Sequence, residues 1–135
     1  TDKQTYADLS ITETANNEQF LFSLFSKTET KEGKAKIRQY IEGQVEYYAK
    51  IMGITYGRIS MRNQKTRWGS CSSNGNLNFN NRLLFVPKEL VDYVVVHELA
   101  HRKEMNHSNA FWNVVEKYMP DYKERRKKLR EYHIE

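Results

Sequence analysis

Val94-Val95-Val96-His97-Glu98-Leu99-Ala100-His101 constrains this chain of 135 residues more than any other stretch. It is an apolar run that ends in an H-E-x-x-H pattern. On an α-helix, residues four apart share a face about one turn from each other, so His97 and His101 can reach a single metal ion in front of that face. Glu98 follows the first histidine directly. There its carboxylate can stand beside an ion without binding it, which suits a general base that takes a proton from water. The pattern is short and occurs in helices that bind nothing, so its surroundings matter. Pro87 is a natural first-turn residue, and Lys88, Glu89, Leu90, Val91 and Val94 continue a helix that is apolar on more than one side and therefore buried. A buried histidine pair needs partners or a metal. The chain holds four histidines, and His97, His101 and His107 fall in one short stretch, with His133 near the end.

A catalytic zinc takes three protein ligands and keeps a fourth position for water. Glu104 shares the helical face of the pair but stands roughly 10 Å of rise from His97, too far for one tetrahedral ion on a straight helix. His107 reaches the ion only if the helix ends and the chain turns back. Met105-Asn106 is a place for that turn, because Asn tolerates the left-handed conformation that ends helices. Ser108 can then cap the next helix. His107 is the favoured third ligand, and Glu116 on that next helix is the rival. The spacing from His101 to His107 equals that of the metzincin pattern, but Glu104 stands where that pattern has glycine.

The length is that of one domain with one modest core. The net charge is +5 and the pI near 9.3. The excess gathers at the C-terminal end in Lys123, Arg125, Arg126, Lys127, Lys128 and Arg130, which reads as a solvated helix face or as a surface for nucleic acid. Cys71 is the single cysteine, so no internal disulfide forms, and a reducing, cytoplasmic setting is expected. No stretch is long and apolar enough to span a membrane, and no signal peptide is visible. The chain starts at Thr1 rather than methionine, as a processed form or an expressed fragment would.

Residues 1–30 form an N-terminal segment of uncertain structure, polar to about Glu18 and then apolar through Phe20-Leu21-Phe22-Ser23-Leu24-Phe25, which reads as a short docked helix or strand. The domain proper is expected over 31–135. Ile37, Tyr40, Ile41, Val45, Tyr48 and Ile51 recur at helical spacing, predicting a helix from Lys31 to Met52 that Gly53 stops. Arg58 to Arg62 and Asn76 to Asn80 alternate with period two, and Asn74-Gly75 is a hairpin signal, so a small antiparallel sheet is expected, with Leu77 and Phe79 facing the histidine helix. A sheet edge beside a metal site can hold an extended peptide by strand addition. Between those strands, Thr66 to Ser73 reads as a bend packed closely at Gly69. Arg67 there is a candidate to stabilise negative charge in a reaction, or else a structural arginine. Ala110 to Met119 is helical, with aromatic residues packing under the histidine helix, and Pro120 ends it. A last helix follows, capped by Asp121. Tyr122 is a candidate hydrogen-bond donor to a transition state, with packing as the plainer role.

Arg67-Trp68-Gly69-Ser70-Cys71-Ser72, Leu77-Asn78-Phe79-Asn80 with Arg82-Leu83, Val94 to His101, Asn106-His107-Ser108 with Phe111-Trp112, and Pro120-Asp121-Tyr122 appear in one order over roughly Ile37 to Arg130. This series resembles the signature of the YgjP-like family of metal-dependent hydrolases, relatives of the SprT-like and WLM metallopeptidases. The resemblance implies a zincin-like minimal α+β domain, one zinc ion held by His97, His101 and His107, and Glu98 as catalytic base. It also implies that Arg67 to Cys71 lies near the active site. A zinc-dependent metallopeptidase acting on a peptide or protein is the resulting expectation. Two alternatives are a metal-dependent nucleotide phosphohydrolase of the pyrophosphatase type and a nucleic-acid-associated module using the basic C-terminal helix.

Overall fold

The computed structural model describes residues 30–132. The expectations for residues 1–18, for Phe20 to Phe25 and for His133 lie outside the described residues. Helix α1 spans Lys31–Met52, with the Thr30 hydroxyl accepting from the Gly33 amide at its start and Gly53, at φ 66°, closing it in the left-handed conformation. Its buried stripe is Ile37, Ile41, Val45, Ala49 and Met52. Ile51, expected inside, is 48% exposed. Met52 takes the inward place, because the steps of four along the stripe drift around the helix and the last step must be three to return to the same face.

Three short strands follow, β1 (Ile59–Arg62), β2 (Gly69–Cys71) and β3 (Leu77–Asn80), in the order β1-β3-β2. The sheet is mixed rather than antiparallel throughout: β2 runs antiparallel to β3, whereas β1 pairs with β3 in parallel, Ile59 opposite Leu77. The reason lies in the turn. Asn74-Gly75 connects β2 to β3, not β1 to β3, and the stretch expected to be a bend supplies a strand of its own at Gly69–Cys71. Gly75 has φ 89°, a backbone conformation that favours glycine, and the Arg102 guanidinium lies over it, 2.7 Å from where a Cβ would stand. Arg102 also donates to the Thr55 carbonyl at 2.9 Å, tying the turn and the start of the sheet region to the end of the histidine helix. The outer edge of β1 is covered in part by Arg38 of α1, whose guanidinium donates to the Ile59 carbonyl at 3.0 Å.

A 3-10 turn (Asn81–Phe85) leads through Val86 and Pro87 to α2 (Lys88–Ala100), followed by α3 (Asn109–Tyr118) and α4 (Tyr122–Leu129). Helix α2 is the axis of the domain. Every residue from Tyr93 to Ala100 is buried. It has α1, β2, α3 and α4 packed around it, and a helix surrounded in this way can carry apolar residues on all sides. Asp92 accepts hydrogen bonds from the Tyr40 hydroxyl at 2.8 Å and from Gln44 at 3.0 Å, fastening α2 to α1. Ser108 caps α3 by accepting from the Phe111 amide. Asp121 makes no side-chain cap for α4; its carboxylate accepts from Arg125 instead. No helix among the described residues is long and apolar enough to cross a membrane.

Candidate metal centre

His97 and His101 stand on the last turn of α2 and at its C-terminal cap, and the backbone there decides where the chain goes next. The amides of His101, Arg102 and Lys103 bond to carbonyls three residues back, which tightens the end of the helix. The turn therefore begins at His101, earlier than Met105-Asn106, and no residue other than glycine has a positive φ among the described residues. The Glu104 carbonyl that this turn brings round lies 3.0 Å from His101 Nδ1. A carbonyl only accepts, so Nδ1 carries the proton and the Nε2 lone pair of His101 is left to face the site. The Glu104 side chain is not part of the cluster; its backbone orients a histidine.

The chain then returns His107 to the pair. His97, His101 and His107 offer ring nitrogens that all lie within 4.8 Å of one another, the only such group of three metal-ligating side chains among the described residues. His107 Nε2 is 3.2 Å from His97 Nε2. Two imidazole nitrogens on one tetrahedral zinc stand about 3.3 Å apart, so this pair already has ligand spacing. His97 Nδ1 lies 3.2 Å from the Tyr93 hydroxyl, which can accept its proton and turn Nε2 toward the centre. The donor set thus fits a divalent ion: three ring nitrogens drawn together, with the outer nitrogens of His97 and His101 held by oxygen partners. Glu116 is exposed on α3 and stands outside the group.

Aromatic rings fix the imidazoles in place. Phe111, fully buried in the first turn of α3, stacks on His101 with centroids 4.4 Å apart and meets His97 and His107 edge-on. Trp112 stacks on His107 at 5.8 Å, and Tyr122 stacks on the same indole at 5.3 Å. Tyr122 is therefore one ring removed from the imidazoles and 7% exposed. Burial, then the neighbouring His101 and His107, then Arg126, hold the His97 imidazole well below its ordinary range, so it stays neutral. For the metal-stripped protein the sign follows directly. The unfolded chain takes up a proton below pH about 6.5 where the folded one resists it, so this contribution to stability is full above that pH and falls as the pH drops below it. Thermal unfolding of metal-free protein is expected to shift down between pH 7 and 5, and a flat profile would contradict the assignment.

Glu98 is fully buried. A Cβ at Gly69 would come within 3.3 Å of Glu98 Cγ and 3.2 Å of Val94, so glycine in β2 lets the strand lie directly against the carboxylate-bearing face of α2. This close approach is what the Gly69 packing in the sequence amounts to. Arg67 precedes β2, hydrogen-bonded to the Gln64 side chain, beside a small cavity that Arg62, Ser70 and Asn78 also line and that no histidine enters. Of the C-terminal cations, Arg125 is drawn to Asp121 and to the Glu89 carbonyl, and Arg126 lies over Trp112; Lys123, Lys127, Lys128 and Arg130 remain exposed. The sequence reading does not name Tyr93, and it names Arg126 only within the basic C-terminal run. Tyr93 stands four residues before His97 on the same face, a spacing that could have revealed it. Tyr93→Phe is expected to weaken metal affinity about tenfold or more without unfolding the domain, as read by a competitive chelator titration.

The YgjP-like metallopeptidase domain model matches residues 8–132, well beyond the Ile37 to Arg130 span of the recognised motifs. Among solved structures, the chain is similar to the metallopeptidase zymogen abylysin of Pyrococcus abyssi, at 30% identity and a TM-score of 0.57 over 66% of this chain and 87% of that one. It is also similar to the metallopeptidase zymogen jannalysin of Methanocaldococcus jannaschii, at 25% identity and a TM-score of 0.58 over 66% of this chain and 92% of that one. No curated protein matches the chain. A domain model that takes in nearly the whole chain, with metallopeptidases of the same fold beside it, leads to one conclusion: the chain belongs to the YgjP-like metallopeptidase family.

Proposed function

We propose that this domain hydrolyses peptide bonds with one zinc ion held by His97, His101 and His107 and with Glu98 as general base. The observation that carries the reading is the convergence of three imidazoles within 4.8 Å, with a buried glutamate directly after the first of them. A zinc ion held there would supply Lewis acidity, lowering the pKa of a bound water toward about 7. The protein's own groups do the rest. Tyr93 and the Glu104 carbonyl keep the outer nitrogens of His97 and His101 in the tautomer that leaves lone pairs inward. Glu98 accepts the proton of the attacking water and returns it to the leaving amine.

The sheet reaches the site through one strand. Of the two edge strands among the described residues, β2 is the one that lies against α2 beside Glu98. Trp68 and Ser72 bond to β3 through their backbones, so the alternation of an antiparallel ladder turns the backbone groups of Gly69 and Cys71 away from β3. Gly69, Ser70 and Cys71 are all buried, so this edge is covered rather than open to an added strand. Arg67 and Tyr122 are assigned no chemical step. Metal-stripped and zinc-reloaded protein, tested on a peptide library beside phosphate release from nucleoside triphosphates, decides the reading: zinc-dependent peptide cleavage supports it, and zinc-dependent phosphate release without peptide cleavage replaces it.

A further inference from the structure

All three strands lie in a stretch without a carboxylate side chain: between Glu46 and Glu89 there is no Asp or Glu, against seven Lys and Arg. Leu77 and Phe79 of β3 are buried in the core, so Asn78 between them points to the other face of the sheet, opposite Ser70 of β2. Beside these two is a small cavity of about 10 Å³, lined also by Arg62, Gln64, Arg67 and Trp68. That is about the least space that admits one water-sized atom. The hydrogen bonds around it are lopsided. Its side-chain oxygens already accept: Asn78 Oδ1 from Arg62 Nε at 3.2 Å, Ser70 Oγ from Asn78 Nδ2 at 3.3 Å, Gln64 Oε1 from Arg67 Nε, and Asn80 Oδ1 from the Arg82 amide at 3.0 Å. What remains is donors. Trp68 is 1% exposed, and its indole N–H, which can only donate, has no partner among the described residues. The Ser70 hydroxyl keeps its proton, and Arg62, bonded to Asn78 through Nε alone, keeps both terminal nitrogens. A water molecule would meet the indole but would bring two protons of its own to a lining whose side-chain oxygens are taken. An oxyanion brings acceptors only.

From this arrangement we infer that the cavity is an anion site, in which one oxygen of a carboxylate or phosphate group sits on the Trp68 indole N–H and the Ser70 hydroxyl while Arg62 takes the outer oxygens. A guanidinium matches such a group with two parallel hydrogen bonds and remains charged at every working pH. Arg67, tied to Gln64 on the same lining, adds positive potential whatever else it touches. No histidine lines the cavity, so the site is separate from the metal centre. It is also near it. Gly69 borders the cavity and lies against Glu98, so β2 alone stands between the two. The inference does not depend on the peptide-hydrolysis reading. The chemistry is that of one oxyanion group, carried by a free ion or by the C-terminus of a peptide.

The chain has two tryptophans, Trp68 and Trp112. Their indole N–H signals in NMR therefore report on the cavity and the metal centre separately, since Trp112 stacks on His107. Zinc-loaded protein is titrated at constant ionic strength with acetate, inorganic phosphate, an N-acetylated dipeptide with a free C-terminus, and its C-terminal amide as the neutral control. The expected result is a saturable downfield shift of the Trp68 signal with at least one oxyanion and none with the amide, the binding being about tenfold weaker in Arg62→Gln. Saturation by acetate or phosphate marks a site for free anions, and saturation by the peptide acid alone marks one for a peptide carboxylate; either result supports the inference. No shift, or a non-saturating one shared with the amide, overturns it in favour of a bound water, and that comparison needs no variant. A shift confined to Trp112 puts the anion on zinc and overturns it too. Arg62 is exposed, so Arg62→Gln is expected to fold as wild type does, and unchanged affinity in that variant overturns the assignment.

Discussion

Glu98→Gln is expected to bind zinc as wild type does and to unfold at a similar temperature, while peptide hydrolysis falls by a factor of about 10²–10⁴. The reason for the split is geometric. Glu98 is fully buried with Gly69 pressed against its side chain, and glutamine has the same shape, so no void or clash is introduced. The amide cannot take a proton from water, so only the chemical step is lost. Elemental mass spectrometry and peptide kinetics on the same preparation test both halves. Full turnover in a zinc-loaded variant would remove Glu98 from the mechanism.

His107→Ala should have the larger effect on the metal itself. Loss of an outer partner weakens a site about 10–100-fold, and removal of one of three protein ligands should exceed that, so the variant is expected to lose its zinc on dialysis against a chelator. The ring also fills space between Trp112 and Phe111, so some loss of thermal stability should accompany it. Glu116→Ala is the matched control, because Glu116 is exposed and outside the cluster. Zinc retained in His107→Ala and lost in Glu116→Ala would reverse the ligand assignment.

Much of the helical framework was legible before any coordinates. The helix from Lys31 to Met52, its Gly53 stop, the Ser108 cap and the buried histidine helix all follow from short-range rules, in which a few neighbouring residues settle the backbone. The sheet was harder to read. Asn74-Gly75 announces a turn, but a turn signal does not say which strands it joins, and the three residues Gly69-Ser70-Cys71 are too few to show a period. Parallel pairing of β1 with β3 depends on α1, the β1–β2 connection and β3 meeting in space, which no local window records.

The metal centre divides in the same way. The sequence by itself determined the helical pair His97 and His101, the adjacent Glu98 and the nearness of a third histidine, because helical geometry makes spacing equivalent to position. The tertiary structure alone decided what those residues face. It ended the helix at His101, so that the Glu104 backbone, not its carboxylate, meets the site; it brought β2 against Glu98 through Gly69; and it turned Arg126 from the outer charge of a basic helix to the edge of the histidine cluster. Each of these depends on how separate elements pack around one buried helix, and packing is a property of the whole domain rather than of any stretch within it.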